Sequence, residues 1–207
     1  MPEATPGPRP HHRPARRDGG FFEGFVGGTD PATLSEAADR AAVLLVRGAR
    51  GDDEAAVAER IVHLADTEGI EAIAEVWSGA PADTLAGCLW RLFVLRSWVH
   101  ADAAGVAAEF EAGRRSAEVA HVVAGVADPP GPDELRTMVD AVLRGIGTGD
   151  FADVLFRASA FARVVAVGRA HLPGAEGAAD ADGVRRMLAL AEQLEAAGHL
   201  EMRRPLG

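Results

Sequence analysis

Residues 89–99 read LWRLFVLRSWV: two tryptophans, a phenylalanine and three leucines, interrupted by Arg91 and Arg96. At roughly 100° per residue, Leu89, Trp90, Leu92, Phe93, Val94, Leu95 and Trp98 cover nearly the whole circumference of a helix, leaving no wide polar face. Such a helix belongs in a bilayer or at the centre of a helical core. A bilayer span needs about 20 apolar residues in a row, and the two arginines break this run at mid-length. The segment therefore predicts the central helix of a bundle, with Trp90 in the core. By the same arithmetic Arg91 and Arg96 stand about 140° apart. One is expected to reach solvent while the other meets an acid on a neighbouring helix, and His100 leaves open an anion-binding pair with them.

Helical punctuation continues on both sides of this stretch. TDPATLSEAADRAAVLLVRGARG has Asp30 as N-cap, Pro31 at the first helical position, Gly48 near the end, and Leu34, Ala38, Ala41 and Leu45 on one stripe. GDDEAAVAERIVHLADTEG repeats the plan, with Asp52 capping and Val57, Ile61 and Leu64 inward. A shorter helix carries Ile73, Val76 and Trp77 to the turn SGAP, and further helices are expected from about Ala101 to Arg114 and from Ser116 to Val126. After the break DPPGPDE, Leu135, Val139, Val142 and Ile146 mark another helix, Asp150 starts the next through FADVLFRASAFARVVAVGRA, and a last one runs from about Val184 to Ala197. No window alternates with period two long enough to make a strand. The fold expected is all-α, a single bundle of about seven to nine helices spanning 29–172. A Gly/Ala/Asp linker at 173–183 and a C-terminal helix and tail at 184–207 complete it.

Residues 1–28 differ in kind. MPEATPGPRPHHRPARRDGG has five prolines and no apolar periodicity, which predicts a disordered basic tail. FFEGFVGG then sets Phe21, Phe22 and Phe25 among glycines. Beside Arg13, Arg16 and Arg17 these phenylalanines are the candidate partner-binding residues, either folding back as a cap or docking on a protein whose acidic surface the arginines would steer toward. Arg47-Gly48 with Gly51-Asp52 parallels Arg144-Gly145 with Gly149-Asp150; glycine stops and aspartate caps explain that likeness without a repeat.

Composition narrows the function classes. The 207 residues contain no Lys, Tyr or Asn, and Arg supplies all 21 basic residues, which excludes Schiff-base lysine and tyrosine acid catalysis. Net charge is −10; the first 20 residues hold four Arg against Glu3 and Asp18, a local +2, so the remainder carries −12. An acidic body argues against a nucleic-acid partner. Cys88, the single cysteine, predicts a buried thiol in a reducing cytoplasm, and no secretory apolar stretch opens the chain.

Candidate chemistry is sparse. Glu118 and His121 form one E-x-x-H where a di-iron bundle needs two plus further glutamates, and Glu59, His63 and Asp66 share one helical face without a second helix to complete a site. None of the serines sits in a G-x-S-x-G elbow. GARGD and GIGTGD lack the lysine of a phosphate loop. No catalytic residue, metal or cofactor is assigned, and the reading leans away from an enzyme. It favours a non-catalytic helical interaction or regulatory module with an unidentified protein partner, no membrane association, and a homodimer left open.

Parts of the sequence resemble three known families. IAEVWSGAPADTLAGCLWRLF resembles the helix-turn-helix of TetR-type repressors, which would imply a ligand-responsive transcriptional regulator; its turn is one residue longer, and Ala82–Leu89 offers no basic or amide side chain to a base. Trp77-Ser78-Gly79 resembles the W-x-G turn of the small helical hairpins of type VII secretion, whose partner motif requires a tyrosine. LWRLFVLRSWV, VVAGVADPPGPDEL and VLRGIGTGDFADVLFRASAFARVVAVG together resemble a group of all-helical actinobacterial proteins. Some of these carry an RNA polymerase β-subunit label, which would imply an RNA-polymerase-associated accessory protein. No functional residue carries over from it.

Overall fold

The computed structural model describes residues 31–48, 70–116, 129–145, 150–172 and 178–207. Pro31–Gly207 forms one compact unit. Its seven helices among the described residues are α1 (Pro31–Arg47), α2 (Ile70–Val76), α3 (Leu85–Ala101), α4 (Ala103–Arg115), α5 (Pro132–Leu143), α6 (Phe151–His171) and α7 (Ala178–Arg203). No strand occurs among those residues, so the all-α expectation holds. The expected tail at 1–28 and the helices expected at 52–69 and 116–126 lie outside the described residues or, at Ser116, end them.

Sequence punctuation fixes most helix ends. Pro31 opens α1, where its missing N–H is no loss. Gly48 and Gly145, with φ of 74° and 66°, close α1 and α5 in the left-handed region that side chains avoid. Thr84 Oγ1 accepts from Gly87 N–H at 3.1 Å and Asp150 Oδ1 from Ala152 N–H at 2.9 Å. Asp102 interrupts what looked like one boundary at Ala101: it ends α3 and its Oδ1 accepts from Gly105 N–H at 3.0 Å, starting α4. At the other end of the chain α7 begins at Ala178 and reaches Arg203, so the helix takes in part of the expected 173–183 linker. Alanine is the reason, since ADADG offers too few breakers to outweigh the helix preference of its neighbours.

The packing has two centres. Helix α3 touches α1, α2, α4, α5 and α7, as its all-round apolarity requires. Helix α6 is the more deeply sunk: 13 of its 21 residues are buried, from Phe151 to Gly168. It packs along α7 and across α4, the two most extensive helix pairs. With α7 it runs antiparallel, Arg169 lying beside Gly183 at one end and Phe156 edge-on to His199 at 5.0 Å at the other. With α4 it also runs antiparallel and very close, because Gly113 and Gly168 let backbone approach backbone. Phe110 and Phe161 stack between the same two helices, with centroids 5.4 Å apart.

Trp77, just past α2, is fully buried and donates its indole N–H to the Ala38 carbonyl at 3.0 Å. Trp90 departs from expectation. It is half-buried, stacked on Phe93 at 5.7 Å and packed against the rim of the core. The cause is geometric: Leu85, Leu89, Leu92 and Val99 of α3 already fill the inner positions, leaving Trp90 on the opposite flank with Val94.

Candidate functional site

Helix α3 turns one flank of the opening stretch outward. Leu89, Leu92, Leu95 and Val99 are buried, whereas Val94 is 39% exposed and Trp90 and Trp98 are half-buried. Both arginines find acceptors. Arg96 pairs with Asp140 of α5, the acid the sequence anticipated on a neighbouring helix. Arg91 does not simply reach solvent: its Nε donates to Gln193 Oε1 of α7 at 2.7 Å and its Nη1 to Gly87 O at 2.9 Å. Trp98 is covered on one face by the Arg169 guanidinium, 5.2 Å from the ring centroid, while Arg169 holds Glu109 in a two-point ion pair at 2.8 and 3.0 Å.

An open depression of about 440 Å³ lies at the end of this flank, lined by Glu71, Arg96, Ser97, His100 and Ala101. Arg96 and His100 do share it, as an anion-binding pair would demand. The depression nevertheless presents little net positive charge, because Asp140 neutralises Arg96 and Glu71 places a carboxylate on the rim. It is a shallow polar surface rather than an anion cradle.

The nucleophile-bearing side chains take structural parts. Cys88 is fully buried, and burial pushes its thiol from 9.0 up to about 12; Arg91 opposes the shift, and Glu201 and Asp83 add to it. A thiol in this state supplies almost no thiolate. Ser159 is buried and donates to the Ala191 carbonyl at 2.8 Å, tying α6 to α7. Among the described residues no three His, Cys, Asp or Glu gather as metal ligands, and no helix is long and apolar enough to cross a membrane. Glu118, His121, Glu59, His63 and Asp66 lie outside the described residues, as do Phe21, Phe22, Phe25, Arg13, Arg16 and Arg17.

Sequence reasoning missed a clasp at the end of α7. Glu201, only 9% exposed, accepts from Arg47 of α1 at 2.6 and 2.7 Å and from the Leu206 N–H at 2.8 Å. Arg47 also donates to Leu206 O at 3.3 Å, and Leu85 N–H, at the start of α3, donates to Gly207 O at 3.3 Å. Burial alone would raise the Glu201 pKa, but the hydrogen bonds from Arg47 and Leu206 outweigh it and hold the carboxyl below its ordinary 4.5. An inward position for residue 201 follows from its spacing with Ala197 and Leu194, four and seven residues before it on the buried stripe of α7.

The stretch that resembles a TetR-type helix-turn-helix does fold as helix, turn and helix. Its second helix is α3, whose first five residues, Leu85–Leu89, are all buried. The side chains that such a motif presents to a major groove face the core here. No protein-family model matches the chain, and neither a curated protein nor a solved structure matches it.

Proposed function

We propose that this protein is a non-catalytic helical interaction or regulatory module that binds a protein partner in the cytoplasm. The observation that carries the reading is the outward flank of α3, where Trp90, Val94 and Trp98 leave part of the most apolar segment at the surface. Aromatic residues in such positions are the usual anchors of protein interfaces. The buried, protonated thiol of Cys88 and the engaged hydroxyl of Ser159 support a structural rather than a catalytic use of those groups, and a lone unpaired thiol suits a reducing compartment. Phe21, Phe22 and Phe25, with Arg13, Arg16 and Arg17, supply a second group of anchor-type and steering residues in the sequence.

The test compares tagged wild-type chain with Val94→Glu and with a Phe21/Phe22/Phe25→Ala variant. Each is checked by thermal unfolding and then used to co-purify partners under matched conditions. Loss of the same co-purified protein from either variant at unchanged melting temperature supports the reading. Identical recovery from all three chains overturns it.

A further inference from the structure

Helix α7 stops at Arg203, and Pro205, which has no N–H to continue a helix, leads the chain to the start of α3. Three hydrogen bonds hold it there. Leu206 N–H donates to Glu201 Oε2 at 2.8 Å, Leu206 O accepts from Arg47 of α1 at 3.3 Å, and Gly207 O accepts from Leu85 N–H at 3.3 Å. Leu85 is the first residue of α3, where the helix itself supplies no acceptor for the amide. The half-buried Leu206 side chain packs against the core. Residues 204–207 thus bridge the last residue of α1 and the first residue of α3.

What lies at this bridge is reactive in kind. Leu85 and Cys88 are neighbours on one face of α3, and both are fully buried. Burial first, with the charge of Glu201 behind it, raises the Cys88 pKa, so the carboxylate that anchors the segment is also close to the thiol. The attachment is shallow by comparison. Arg203, Arg204, Pro205 and Gly207 are exposed, and detaching the segment breaks the three bonds and uncovers Leu206 while every helix keeps its own backbone ladder. A segment with few buried contacts opens at a small fraction of the free energy of global unfolding. Its firmness is set by the Arg47–Glu201 pair, at 2.6 and 2.7 Å, because those two side chains hold the N–H and the carbonyl of Leu206.

We propose that residues 204–207 are a lid, latched by Arg47 and Glu201, that opens without unfolding the bundle and controls access to Leu85 and Cys88 at the start of α3. Closed, it seals the thiol and satisfies the Leu85 amide. Open, it frees that amide and bares an apolar edge. The lid uses none of Trp90, Val94 and Trp98, and it holds or fails independently of the partner-binding reading.

The test measures the rate at which iodoacetamide, an uncharged reagent, modifies Cys88 in the full-length chain at pH 8, beside urea unfolding followed by tryptophan fluorescence. Wild type is expected to react faster than global unfolding allows, at a rate nearly independent of low urea, because lid opening exposes little surface. Glu201→Gln should raise the native rate roughly tenfold beyond any change in global stability, as loss of charge-assisted hydrogen bonds implies. Leu206→Ser should raise it several-fold. This second variant keeps the Arg47–Glu201 pair and the charge beside the thiol, so it separates lid opening from a change in thiol titration and serves if Glu201→Gln does not fold. Arg163→Gln, which breaks the α6–α7 pair with Glu195, is the control and should alter labelling only in step with global stability. Labelling of wild type that follows global unfolding at every urea concentration overturns the proposal, as does acceleration confined to Glu201→Gln or lid variants that react no faster than their global stability requires.

Discussion

Gly168→Ala is expected to destabilise the protein even though alanine is the better helix former. A Cβ placed at residue 168 would lie 2.7 Å from both the Glu109 carbonyl carbon and the Gly113 nitrogen, and closer still to the Glu109 oxygen, where ordinary contact is 3.4–4 Å. The obstacle is backbone, which cannot rotate away as a side chain can. Replacing helical glycine by alanine gains about 1 kcal/mol of helix preference, while forcing one extra carbon into a packed interior costs about 1 to 3 kcal/mol and occasionally more. Here α4 and α6 must separate along a crossing that also holds the Phe110–Phe161 stack, which places the cost at the upper end. The net expectation is a loss of about 1 to 2 kcal/mol, or a fall in Tm of roughly 2 to 8 °C for a chain of this size. Gly79→Ala is the control, since a Cβ there meets nothing within 4 Å and its φ is not in the left-handed region; it should be neutral or slightly stabilising. Urea unfolding of both variants decides the matter. A Gly168→Ala protein as stable as Gly79→Ala would refute the close crossing.

Trp77→Phe keeps most of the buried ring but removes the donor to Ala38, costing about 1 to 2 kcal/mol, and Trp90→Ala should cost less than the 3 to 5 kcal/mol of a fully buried aromatic; in urea unfolding, an unchanged Trp77→Phe chain would remove the Ala38 bond from the fold, and a Trp90→Ala loss in the fully buried range would place that ring in the core. Glu201→Gln should weaken the clasp to Arg47 and flatten the acid limb of the stability curve. The sign follows from a depressed folded pKa: the unfolded carboxyl protonates first as pH falls, so the stabilisation present above 4.5 is lost below it. An acid limb identical to wild type would remove Glu201 from that role. Cys88 should react slowly with a thiol reagent at pH 8 in the folded chain and rapidly in denaturant. Stability should also fall as pH rises from 9.0 toward about 12, because the unfolded thiol ionises first; native labelling as fast as denatured labelling would contradict the burial.

Local chemistry was the legible part of the sequence. Pro31, Gly48, Asp150 and the helical spacing of apolar positions are decided within one or two turns, so helix class and several boundaries could be read directly, whereas the Thr84 cap was not read. Arg96 was half-legible. The helix called for an acid at one of Arg91 and Arg96, though nothing in the sequence could say which, or that Asp140, 44 residues from Arg96, would supply it. The Arg47–Glu201 clasp was not legible, since it joins residues 154 apart and an ordinary helix C-terminus already accounts for a basic residue at 47.

Aromatic density and depth turned out to be different properties. LWRLFVLRSWV has the largest side chains, and bulk holds neighbouring helices at a distance, so α3 touches five of them while part of its own circumference stays outside. Helix α6 carries Ala158, Ser159, Ala160, Ala162, Ala166 and Gly168, all buried. Small residues let two partner helices close on it from different sides, and closeness rather than hydrophobic content determines how much of a helix is removed from water. That same closeness leaves no room for solvent around Arg157 Nε. Among the described residues the other half-buried arginines that join helices all have acceptors, whereas Arg157 Nε has none.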